Sequence, residues 1–194
     1  MIDLSSYTIF SSNLATLQST SLDDTNGQTM TNSQRLVTNF DHVKNAYVRS
    51  HSFVDSLKSV DALFTDNGGN LVFVEFKNGF LSKAEQYSLF KKLYDSILIL
   101  LDITSESFPS IRNQLKFVLV YNSTANASNK DPDLLHKMEF TNGISPSYDY
   151  IAKSISSLAR TEYICFGLKP FYQYCFKEVH TYTPKEFDNY LKTL

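Results

Sequence analysis

The sequence contains no tryptophan, only two cysteines, and no marked excess of either charge: 18 Lys and Arg stand against 20 Asp and Glu, for a formal net charge of −2. Near-neutrality argues against a strong, sequence-independent grip on nucleic acid, because that grip comes from many Lys and Arg neutralising phosphates. A local basic patch remains compatible with it. Cys165 and Cys175 fall in one apolar region, and the opening "MIDLSSYTIF" carries an acid but no basic stretch of the kind that starts a secretory leader. The expectation is a cytoplasmic protein with two reduced, buried thiols rather than a disulfide or a metal pair.

Long apolar runs are missing too. The longest, "SILILLDI" from Ser96 to Ile103, is far short of the roughly 20 residues needed to span a bilayer, so no membrane role is expected. There is no Gly-rich phosphate loop, since "GGN" is followed by no helix-opening GK[ST]. The four histidines, His42, His51, His136 and His180, share no metal-ligand spacing. His180 lies in the alternating "KEVHTYT", where a surface or hydrogen-bonded role is expected. No repeat and no linker divides the chain.

What is present reads as one globular domain over residues 1–194, at 42% hydrophobic and 20% charged residues, with 14% aromatics supplied by 12 Tyr and 15 Phe. Residues 1–34 form a polar, loop-rich N-terminal segment. "SQRLVTNFDHVKNAYVRS" (33–50) spaces Leu36, Val37, Phe40, Val43 and Tyr47 as an amphipathic helix. "VDALFT" and "LVFVEFK" flank "DNGGN" as the two strands of a hairpin. Ser82 caps a helix of about five turns, with Leu81 as a staple and Leu89, Leu93, Ile97 and Leu100 on one face. "LKFVLVYN" from Leu115 reads as a strand covered on both faces, and "STANASNKDPD" from Ser123 as a loop. A helix is expected from about Ser147 through "DYIAKSISSLAR". Two strands, "YICFGL" and "FYQYCFKEVHTYT", follow it, and Thr183 caps a last helix with Pro184 in its first turn. The order implies a mixed sheet with helices on its faces.

Charge inside the hairpin is the feature with chemical content. In "SVDALFTDNGGNLVFVEFKNG" (59–79), side chains alternate faces, so Glu75 and Lys77 point the same way while Val74 and Phe76 point the other. Counted from a turn near Gly68, Asp61 and Glu75 are nearly symmetric, which sets Asp61 opposite the Glu75 to Lys77 end. Two carboxylates one strand spacing apart resist joint ionisation unless a cation lies between them. All-oxygen ligands suit Mg²⁺ or Mn²⁺ rather than zinc. Lys77 beside such an ion could hold an attacking water or offset charge on a phosphate. An ordinary surface Glu/Lys pair is the alternative reading of the spacing.

Asp61, thirteen intervening residues, then Glu75-Phe76-Lys77 at the end of an apolar strand resembles the core motif of the PD-(D/E)xK nuclease superfamily. The resemblance covers the hairpin, the following helix and the strand Leu115 to Tyr121, in the helix-strand-strand-strand-helix-strand order of that group if a strand between Val48 and Ser56 is counted. It implies a restriction-endonuclease-like α/β fold, a mixed central sheet flanked by helices. It also implies a Mg²⁺-dependent or Mn²⁺-dependent nuclease acting on nucleic acid, DNA first, in restriction or phage defence. Metal ligation would fall on Asp61, Glu75 and the Phe76 carbonyl, and the lysine role on Lys77. Val60 stands where the pattern often has Pro. Asp41, with Asp55 behind it, is the candidate for an additional acid. Gln86 resembles the Gln of the RecB-related subgroup, with Phe90 in place of that subgroup's Tyr.

The other reading keeps this fold without its chemistry, as a binding or regulatory protein. It would act as a homo-oligomer or with a protein partner through the aromatic "FYQYCF" (171–176), read as one strand with rings on both faces. The same rings could stack bases. Lys83 and "KKLYDS" (91–96) make part of one helix face basic, which reads chiefly as a solvated face.

Overall fold

The computed structural model of the chain describes residues 2–54, 57–141 and 162–194. The N-terminal segment is more ordered than its polar composition implies. A 3₁₀ turn at Leu4–Ser6 leads to helix α1 (Thr8–Ser11), strand β1 (Leu14–Thr16), helix α2 (Leu17–Thr20) and a small ribbon of β2 (Leu22–Asp23) and β3 (Gln28–Thr29). Phe10 and Leu17 are fully buried and Ile2 and Met30 nearly so, so a few apolar anchors pin a segment that is otherwise mostly polar.

The expected helix over 33–50 is instead strand β4 (Leu36–Asn39) followed by helix α3 (Phe40–His51). Asn39 decides the boundary, because its side chain accepts the His42 N–H at 3.0 Å and so caps α3. Upstream of that cap, Thr38 pairs with Leu63 in the sheet, and Leu36, counted as part of the apolar stripe, is exposed. No strand lies between Val48 and Ser56 among the described residues, since α3 runs to His51. Its place beside the hairpin is taken by β4, which precedes the helix.

Strands β5 (Ala62–Thr65) and β6 (Leu71–Lys77) form the expected antiparallel hairpin, with Ala62 opposite Val74. Helix α4 (Lys83–Thr104) then crosses to strand β7 (Leu115–Tyr121), which runs parallel to β6, by way of the short helix α5 (Phe108–Arg112). The Ser82 side chain accepts the Glu85 N–H at 3.2 Å, and Leu89, Leu93, Ile97 and Leu100 are all buried, as their spacing predicts. Helix α6 (Pro132–Thr141) begins at the end of the stretch read as a loop. The helix expected from Ser147 lies outside the described residues.

The two aromatic strands expected near the C-terminus reduce to one, β8 (Glu178–Tyr182), parallel to β7. Residues 165–176 turn repeatedly instead: Phe166, Gly167 and Gln173 all have positive φ, which no strand sustains. The rings of 171–176 therefore do not share a strand. Phe171 and Phe176 enter the core while Tyr172 and Tyr174 face out. Helix α7 (Pro184–Leu191) closes the chain, capped by a reciprocal Thr183–Glu186 box.

The sheet has the order β1-β4-β5-β6-β7-β8, mixed and six-stranded. Odd positions of β6 and β7 (Leu71, Phe73, Phe117, Leu119, Tyr121) pack against α3 and α4 with Phe40, Val43, Leu89 and Leu93. Even positions (Val72, Val74, Val118, Val120) pack on the other face with Leu17 and Phe187. Both faces of β6 and β7 are thus covered, as their near-continuous apolar sequences require. Among the described residues no helix is long and apolar enough to cross a membrane.

Candidate active site

The hairpin ladder ends at Ala62 opposite Val74, and Asp61 stands just beyond it, near Glu75 at the end of β6 where the apolar core stops. The backbone fixes Asp61 twice. Its N–H donates to the Val74 carbonyl at 3.1 Å, and its carbonyl accepts the first N–H of α3, from Phe40, at 3.1 Å. The Asp61 carboxylate then accepts the Phe76 N–H at 2.6 Å. A strand residue's N–H and C=O point to the same edge, so the Phe76 carbonyl also faces the Asp61 side.

Glu75 lies on the α4 face directly above Phe73 and is fully buried. Lys77, two residues on and on the same face, brings Nζ to 3.3 Å from Glu75 Oε1 and 3.8 Å from Glu85 Oε2. The three charged groups of the hairpin therefore converge. They do so beside a fourth that the sequence analysis placed on a solvated helix face: Lys92 Nζ is 2.6 Å from Glu75 Oε1 and 3.4 Å from Asp61 Oδ1. Only 19% of the Lys92 side chain is exposed. Glu75 Oε1 thus faces two ammonium groups, while Glu75 Oε2 is buried with no hydrogen-bond partner.

Lys92 reaches this position because α4 is stitched to the start of the hairpin. The Lys58 N–H donates to Asp95 Oδ2 at 2.7 Å, and the Val60 N–H donates to Ser96 Oγ at 3.0 Å. The register between residues 58–60 and 95–96 brings Lys92, one turn back on α4, over Asp61. A signal for this was present in the sequence. Lys92 sits three residues after Leu89 and four before Ser96, both fully buried, so it interrupts an inward-facing stripe.

Burial drives the Asp61 carboxyl well above the usual carboxylate range, and the Glu75 charge adds to the effect, while Lys92 and the Phe76 N–H pull the other way. Burial of Lys92 opposes its charge, but Glu75 and then Asp61 outweigh it and hold its pKa raised. The cluster sets two carboxyl groups against two ammonium groups in a largely buried slot.

The additional residues behave differently. Asp41, in the first turn of α3, accepts the Ser59 hydroxyl at 2.5 Å and lines, with Asp61, Phe76 and His42, a polar pocket of ≈ 360 Å³. It adds negative charge at the mouth of the slot, but among the described residues no three His, Cys, Asp or Glu side chains form one tight ligand group. Asp55 lies outside the described residues. Gln86 is buried, donates to the Leu81 carbonyl at 3.2 Å and accepts from Lys83 Nζ at 3.4 Å, which secures the first turn of α4. Phe90 packs on Phe171, 5.2 Å between ring centroids, so the Gln86 and Phe90 pair supports the 165–171 turn.

A metal placed here would draw on two carboxylates and a backbone carbonyl, all oxygen, with one buried carboxylate oxygen unpartnered. That fits Mg²⁺ or Mn²⁺, which bind through one or two carboxylates and keep waters for the rest of the shell. Compared with family models, with curated proteins and with solved structures, the chain matches none.

Proposed function

We propose that the protein is a divalent-metal-dependent nuclease of restriction-endonuclease-like fold, hydrolysing phosphodiester bonds of nucleic acid, with DNA as the first substrate to test. The observation that carries this reading is the meeting of Asp61, Glu75 and Lys77 at one end of β6, with Glu75 buried and its Oε2 unsatisfied. A buried carboxylate with an orphaned oxygen is costly, and such a cost is retained where the group has work to do. The order hairpin, helix, parallel strand supports this reading, although β4, ahead of α3, stands in for the strand that the resemblance counts between Val48 and Ser56.

Asp61, Glu75 and the Phe76 carbonyl would hold Mg²⁺ or Mn²⁺. When bound, the ion would polarise the phosphoryl oxygen and acidify an attacking water. Lys77 Nζ, anchored on Glu75, would orient that water and offset charge developing on the phosphate. Asp23, Asp24 and Asp41 line the adjoining pocket, so without a cation the mouth repels a phosphate. That explains how a chain of net charge −2 could still act on nucleic acid: the cation, rather than a basic surface, would supply the attraction.

The test is cleavage of supercoiled plasmid and of single-stranded DNA in Mg²⁺ or Mn²⁺. Glu75→Gln and Lys77→Ala should each lower the rate by about 100-fold or more, with the circular dichroism of the folded protein unchanged. Equal cleavage by wild type and both variants would overturn the assignment.

One observation favours a second reading. Lys92 already supplies a positive charge between the two carboxylates, as expected of a nuclease-like scaffold that has kept its shape without its chemistry. Such a protein would act through an interface, and the exposed Tyr172 and Tyr174 offer rings for one. Absence of Mn²⁺ binding, together with elution as an oligomer, would favour it.

A further inference from the structure

We infer that Lys92 is a displaceable counter-ion: its ammonium occupies the position between Asp61 and Glu75 that a divalent cation would take, and the cation must expel it to bind. This inference rests on the metal-dependent reading above.

The geometry supports a shared position. An ammonium 2.6 Å from one carboxylate and 3.4 Å from the other stands between the oxygens on which the proposed cation site depends. A second ammonium, Lys77, already lies 3.3 Å from the same Glu75 oxygen. Placing a divalent ion there with both lysines retained would crowd three cations around two carboxylates, with like charges a few ångströms apart in a partly dry slot. Lys77 is held from the other side by Glu85 at 3.8 Å, an anchor it keeps if Glu75 turns to a metal. Lys92's hydrogen bonds are to Glu75 and Asp61 themselves, so it is the lysine that metal binding dislodges.

Its surroundings leave it little competition for release. The neighbouring cations are committed elsewhere: Lys91 pairs with Asp95 at 2.5 Å, and Lys58 donates to Ser88 Oγ at 2.7 Å. The long, flexible stem of Lys92 reaches inward from the helix surface and can swing back toward water. Lys92 therefore makes the cation-free state stable, with the two carboxylates compensated, and scales the apparent cation affinity down to the fraction of molecules in which it stands out of the slot.

The experiment is Mn²⁺ binding to the full chain by calorimetry, without nucleic acid, for wild type, Lys92→Met and Lys92→Gln. A thermal melt of each is taken with and without Mn²⁺. Expulsion requires that both variants bind Mn²⁺ more tightly than wild type, by about tenfold or more for the loss of one neighbouring charge. It also requires that they melt lower than wild type without the ion and gain more from it. Lys92→Gln keeps a hydrogen-bonding head should Lys92→Met fail to fold. Equal or weaker Mn²⁺ binding by the folded variants overturns the inference and leaves the metal reading standing. No Mn²⁺ binding by wild type or either variant overturns both.

Discussion

At the scale of single residues, the site is defined by what surrounds Glu75. A fully buried carboxylate with one oxygen doubly paired and the other orphaned is an uneven arrangement, and Lys92 is what makes it tolerable. Ser96 decides whether Lys92 is delivered. Its hydroxyl accepts the buried Val60 N–H, so Ser96→Ala strands that donor and should cost about 1–3 kcal/mol in urea unfolding. A loss below about 0.5 kcal/mol would show that the stitch between α4 and the hairpin does not hold the site. That Asp61 comes near Glu75 could be read from the sequence, since strand alternation and a central turn bring the two ends of the hairpin together. Lys92 could be read only as an interruption of a buried stripe, because which strand residue lies beneath it depends on contacts between residues 58–60 and 95–96.

At the scale of elements, hairpin and long helix follow from local rules, and the aromatic C-terminal region does not. The run 171–176 has the composition of a strand, yet the chain reverses through Phe166, Gly167 and Gln173, and its rings fill gaps over α4 and β7. Burial of rings outweighs β-propensity there. Gly167 has φ +70°, and a Cβ on it would come within 3.3 Å of Phe90 Cζ. Gly167→Ala should therefore destabilise the protein by roughly 1–2 kcal/mol, read as a lower urea midpoint at unchanged slope. A midpoint equal to wild type would mean that this turn is not tightly packed against α4. The boundary between β4 and α3 was missed for a related reason: Leu36 and Val37 continue the helical spacing of Phe40 and Val43, and only the Asn39 cap and the pairing of Thr38 break it.

Across the whole molecule, the second concentration of charge lies on the sheet's other face, and it contributes to the pH response. Lys116 bridges Asp66 at 3.3 Å and Glu178 at 2.9 Å, and His180 meets Glu162 at 2.7 Å and Glu178 at 3.2 Å while stacking on Tyr182. Burial disfavours the imidazolium, but the Glu162 and Glu178 carboxylates outweigh it and raise the His180 pKa. A raised histidine pKa means that its contribution is complete below about 6.5, the unfolded value, and fades as pH rises through the folded value. Burial works against the charged Glu178, but Lys116 and His180 lower its pKa, so its contribution is lost instead as pH falls through the acid range. His180→Gln should narrow its stability gap to wild type steadily as pH rises above about 6.5. A gap that stays constant from pH 6 to pH 9 would show that folding does not raise the His180 pKa.

The sequence by itself determined the hairpin, its register, the shared face of Glu75 and Lys77, the capped helix after them and the strand covered on both sides. Each of these depends on alternation, turn chemistry or caps within a few neighbouring residues. Only the tertiary structure decided that β1 and β4 extend the sheet, that the aromatic run folds back on itself, and that Lys92 stands between Asp61 and Glu75. Those outcomes turn on side chains distant in sequence competing for the same buried space and the same buried charge, a competition that no local pattern records.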